Sequence, residues 1–75
     1  MDFFVIEMQT NGNQGAVIPT AYNNKADALA AAYTVAAAAV KSAVEIHTVM
    51  VVNSLGFNVI EPMVFNHGTE EPGQE

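Results

Sequence analysis

Residues 24–42, NKADALAAAYTVAAAAVKS, decide the fold, because they form the one stretch long and regular enough to predict a helix. Alanine is the best helix former, since it loses no side-chain entropy and adds no steric cost. Eight of the eleven residues from Ala28 to Ala38 are Ala or Leu. Asn24 suits the N-cap, Asp27 then falls at N3 beside the positive end of the helix dipole, and Lys41 falls in the last turn. The most apolar stripe is Leu29, Ala32, Ala36, Val40 and Ala43, flanked by Tyr33. The opposite side (Asp27, Ala31, Thr34, Ala38, Lys41) is nearly uncharged where a solvent-facing helix usually carries Glu, Lys or Arg. Two explanations fit so many small residues: close packing on a sheet, and an outer face that meets a second subunit.

Outward from the helix, the chain reads as strand on both sides. Asp2 to Thr10 is rich in Phe, Val and Ile, with Phe4, Ile6 and Met8 on one face and Phe3, Val5, Glu7 and Gln9 on the other. Asn11-Gly12-Asn13-Gln14-Gly15 is the strongest turn signal, so Ala16 to Tyr22 is expected to return as a hairpin partner. Pro19 cannot donate to a ladder and places that strand at an edge. Beyond the helix, Val44, Ile46, Thr48, Met50 and Val52 alternate with Glu45, His47, Val49 and Val51. A turn at Asn53 to Gly56 leads into a fourth strand, Phe57 to Phe65, in which Pro62 marks an edge, a bulge or an early end. The expected class is α+β, ββαββ, with one antiparallel or mixed sheet and the Ala-rich helix on one face. If the first hairpin fails to form, the fallback is βαββ. The domain spans 1–66, and 67–75 (HGTEEPGQE) reads as an acidic, disordered tail.

Composition narrows function. Seventy-five residues make one small domain whose own core is marginal. Two lysines stand against eight carboxylates, for a formal net charge of -6. That charge balance argues against nucleic acid and anionic membrane surfaces as partners. No Cys is present, so disulfides and thiolate metal sites are excluded, and a cytoplasmic location is expected. The opening MDFFVIEMQT has no basic region and its apolar run stops at Glu7, so no secretory signal is expected.

A sheet with one helix on it needs one apolar face. With Phe4 and Ile6 taken as facing the helix, Phe3, Val5, Val49 and Val51 are surplus on the second face, and surplus apolar surface marks interfaces. The candidate interface of a homodimer or larger assembly is therefore Phe3, Val5, Val49 and Val51, together with Ala31 and Ala38 on the outer helix face.

Motifs for chemistry are sparse. Asn11 to Gly15 lacks the Lys-Ser/Thr and the following helix of a phosphate loop, and no nucleophile elbow occurs. Glu45 and His47 share a strand face and form a candidate metal or acid–base pair, which His67 is placed to join. The plainer expectation for all three is ordinary surface polarity, with no cofactor and no metal. Tyr22 and Tyr33 are candidate stacking contacts for a planar ligand, with Asn24 supplying hydrogen bonds; half-buried core tyrosines are the plainer expectation.

FFVIEMQT at Phe3 to Thr10, the helix run AAAYTVAAAAVKSAVEIHTV and the acidic Pro-containing tail resemble small, largely uncharacterised proteins of gut Firmicutes and their phages. Those proteins often carry charged or His residues near the position of Tyr33, where this chain has Ala and Thr. The resemblance implies a cytoplasmic, phage or prophage accessory protein and assigns no functional residue. The expected function is a non-enzymatic, self-associating interaction module with itself as partner. The alternatives are an oligomeric binder or sponge for a nucleotide-like ligand, and a small metal-dependent enzyme using Glu45, His47 and His67.

Overall fold

A computed structural model of the chain describes residues 1–67. The Ala-rich stretch forms α1 (Lys25–Val40), and Asn24 caps it: its side-chain oxygen accepts from the Asp27 N–H at 2.8 Å. The Asn24 amide in turn donates to the Asp27 carboxylate at 3.0 Å. Asn24→Ala removes both contacts and is expected to cost about 1 kcal/mol. In a domain of this size that lowers the melting temperature by about 4–8 °C, readable by circular dichroism. The helix ends at Val40, two residues before Ser42, and Lys41 is the C-cap, its N–H donating to Ala38 O at 3.1 Å.

Four strands flank the helix in sequence: β1 (Phe3–Asn11), β2 (Gln14–Tyr22), β3 (Ile46–Asn53) and β4 (Met63–Asn66). They form one sheet in the order β2-β1-β3-β4, antiparallel at every neighbour. The architecture is therefore α+β, ββαββ, with a four-stranded antiparallel sheet and one helix across it. Because β2 and β3 both run antiparallel to β1, they run parallel to each other, and α1 is the crossover between them. The β1–β2 hairpin closes on Gly12 at φ +65° with Asn13 at negative φ. Positive φ at the first loop position alone is what glycine supplies in a II′ turn. The β3 end is closed by Asn53, whose side-chain oxygen accepts from Leu55 and Phe57 N–H, with Gly56 at φ +89°.

The fourth strand is shorter than the expected Phe57 to Phe65. Residues 57–62 are irregular, tied to β3 by an Asn53 N–H to Phe57 O bond of 2.9 Å, an Asn58 bridge to Val52 and a Val59 N–H to Val51 O bond of 2.7 Å. Pairing resumes after Pro62, which has no N–H to give a ladder. His67, assigned to the tail above, is held at the domain by its N–H to Glu45 O at 2.7 Å. The remaining tail positions lie outside the described residues.

The face of the sheet toward the helix is the opposite of the one expected. Val5, Val49 and Val51 are buried against Ala28, Ala32 and Ala36 of α1, and Val49 and Val51 are 0% exposed. As core residues of a single copy they are not available to a second one. Phe3 and Ala31 pack at the margin of the same core, so of the six candidate interface residues only Ala38 is exposed. The physical reason is size and neutralisation together. Valines fit beneath a helix that offers alanines at close approach, whereas Phe4, Met8 and Met50 would hold it away. Glu7, the one charge on the Val5 face of β1, is partnered by His47. The helix stripe shifts for a related reason. Ala28, Ala32, Ala36 and Ala39 are buried, while Val40 is exposed and Ala43 lies past the helix end. A helix apolar nearly all round has no stripe that hydropathy alone can select.

Candidate functional site

Three features compete for function: a buried polar cluster, a cavity at the hairpin end, and the sheet face away from α1. The cluster is assembled by register. Gln9 on β1 lies opposite His47 on β3, and Glu7 is the next residue along that face. His47 is 5% exposed, and its Nε2 meets the Glu7 carboxylate at 2.5 Å. Gln9 Nε2 donates to the same carboxylate oxygen at 3.0 Å. With Nε2–H directed at Glu7, Nδ1 is left buried with no partner among the described residues. Burial alone pushes the Glu7 carboxyl up. The hydrogen bonds from Gln9 and His47 and the charge of His47 outweigh it and hold Glu7 below its ordinary 4.5.

That direction sets a sign. As pH falls through about 4.5, the unfolded chain takes up the Glu7 proton before the folded one does. The contribution of Glu7 to stability is therefore complete above that pH and is lost as pH drops through the lower, folded value. Glu7→Gln is expected to flatten the fall in melting temperature between about pH 6 and about pH 3, relative to the native chain. An identical pH profile for the two proteins would show that the pair carries no such linkage.

The residues proposed for metal binding do not converge. Glu45 lies before β3, where its carboxylate accepts from the Gly12 N–H at 2.8 Å and ties the post-helix loop to the hairpin turn. His67 Nε2 meets Ala39 O at 2.9 Å near the helix end, while His47 faces Glu7. Among the described residues no group of three or more His, Asp or Glu side chains is close enough to hold a metal ion. The candidate ligand contacts are also dispersed. Asn24 uses its side chain in the cap, Tyr22 packs at the edge of the core, and Tyr33 is 55% exposed about two turns along α1.

The third feature is the remaining sheet face. Cross-strand partners share a face. Opposite the helix, this puts together Val17, Pro19 and Ala21 on β2, Phe4, Ile6 and Met8 on β1, Ile46, Met50 and Val52 on β3, and Val64 on β4. Thr10, Thr48 and Asn66 are its polar strand residues, and none of its strand residues is charged. Phe4, Ile6, Met8, Met50 and Val52 are half-buried by their neighbours, while Val17 and Val64 at the margins are 62% and 59% exposed. The face has no layer of this chain's described residues on it. Alternation already separated Phe4, Ile6 and Met8 from Val5; what it lacked was the reason to put the helix on the Val5 side.

Among the described residues no helix is long and apolar enough to cross a membrane. Comparison with family models, curated proteins and solved structures finds no match, so function rests on the geometry above.

Proposed function

We propose that the chain is a non-catalytic, self-associating interaction module in which two copies meet through the sheet faces away from α1. The observation that carries this is the uncharged, apolar composition of that face on a chain of net charge -6. Two such acidic molecules repel wherever carboxylates approach, and this face lets them meet without that cost. Four strands at about 4.8 Å spacing, the longest of nine residues, offer roughly 500 Å² of sheet plane. An ordinary specific interface buries roughly 800 Å² per partner, so a contact on this plane lies at the small end of the range. Joining edge to edge is disfavoured: Pro19 interrupts β2, and β4 is four residues long. A face-to-face contact about a two-fold axis follows.

The small core supports the same conclusion. Its fully buried side chains are no larger than valine, so much of the apolar content stays at the surface of a single copy. On the strength of the resemblance at Phe3 to Thr10 and in the Ala-rich helix, we place the protein among phage or prophage accessory proteins acting in the cytoplasm. Sedimentation velocity tests the self-association. The expected species at tens of micromolar is twice the 8.0 kDa chain, dissociating on dilution. A single 8.0 kDa species at every concentration contradicts the proposal.

A further inference from the structure

A cavity of about 210 Å³ opens where α1 has ended and the hairpin continues, lined by Gln9, Asn11, Gln14, Gly15, Ala16 and Val44. We propose that it is a binding site for a small uncharged nitrogen heterocycle of the nucleobase type, recognised by the carboxamides of Gln9, Asn11 and Gln14. This does not depend on self-association and uses none of the open sheet face.

The chemistry of the lining argues for it. Three of the six lining residues are carboxamides and none is charged. Each carboxamide offers a donor and an acceptor side by side, the arrangement that pairs with the adjacent N–H and ring nitrogen or carbonyl of a base edge. Their internal commitments leave capacity of both kinds. Gln9 spends its NH₂ on Glu7 and keeps Oε1, and Asn11 Oδ1 accepts from the Glu45 N–H at 3.4 Å and keeps Nδ2. Gln14 makes no side-chain hydrogen bond among the described residues. Ala16 and Val44 supply apolar wall for a ring. The volume is that of about seven waters, below the roughly 300 Å³ at which drug-sized sites begin, so it suits one ring system and no more. The Glu7–His47 pair holds Gln9 in place from behind, which gives the site a fixed wall on β1.

The test is a ¹⁵N-resolved NMR titration of the full chain with adenosine, with uridine and with ribose alone, following the side-chain amides of Gln9, Asn11 and Gln14. Saturable shifts at these amides are expected from at least one nucleoside, with Kd of about 1 mM or tighter, and none from ribose. Gln14→Ala, an exposed hairpin position, is expected to weaken binding at least tenfold while leaving the backbone spectrum dispersed. Three results overturn the proposal: no saturable shift with either nucleoside, equal shifts with ribose, or undiminished binding by Gln14→Ala.

Discussion

Val51→Asp abolishes folding, whereas a carboxylate placed one residue earlier, at Met50, leaves the fold intact. Val51 is 0% exposed and packs with Val5, Val49 and the alanines of α1. A buried charge without a partner costs several kcal/mol. A chain of 75 residues has a total stability of roughly 4–11 kcal/mol, so that single cost removes most or all of it. The milder Val51→Ala, which leaves a cavity, is expected to cost about 1–3 kcal/mol. Thermal melts followed by circular dichroism, with amide dispersion in a proton–nitrogen spectrum, distinguish the outcomes: a sloping, transitionless melt for Val51→Asp and a lowered but cooperative one for Val51→Ala. A cooperative melt near the native temperature for Val51→Asp would place the helix on the other face of the sheet.

Met50→Glu has the complementary effect. Met50 lies beside Ile6 on the face away from α1, so the new carboxylate reaches water in a single copy. In the proposed dimer it is buried twice, once from each partner, with like charges close together. Weakening by about a hundredfold to a thousandfold is expected, equivalent to about 3–4 kcal/mol. The variant should melt within a few degrees of the native monomer and sediment as one 8.0 kDa chain at tens of micromolar. Association as strong as that of the native protein removes the sheet face from the interface.

The two substitutions also mark where the amino-acid sequence was legible. The helix, its Asn24 cap, the hairpin at Gly12 and the edge position forced by Pro19 each follow from local chemistry, and each is present. Which face of β1 and β3 the helix covers does not follow. Phe4, Ile6 and Met8 on one side and Phe3 and Val5 on the other are both apolar, so a period of two finds two cores. Glu7 and Gln9 lie on the Val5 side, and nothing local says what partners them. The overriding fact is long-range: the antiparallel register of β1 and β3 brings His47 to Glu7 and Gln9, so the Glu7 carboxylate is partnered from both strands on the helix side of the sheet. A residue forty positions away in sequence is invisible to any local pattern. The same limit applies to Glu45, which neighbours His47 in sequence yet spends its carboxylate on Gly12. The cavity likewise depends on Asn11 and Gln14 facing each other across a turn whose residues read only as loop formers.

The most direct measurement is an isotope-filtered nuclear Overhauser experiment on a mixture of labelled and unlabelled chains, which reports only contacts between copies. Intermolecular signals are expected from Phe4, Ile6, Met8, Met50 and Val52, with none from Val5, Val49 or Val51. Signals confined to the outer helix face at Ala30, Ala37 or Ala38, or no intermolecular signal from a protein that sediments as a monomer, would contradict assembly through the sheet.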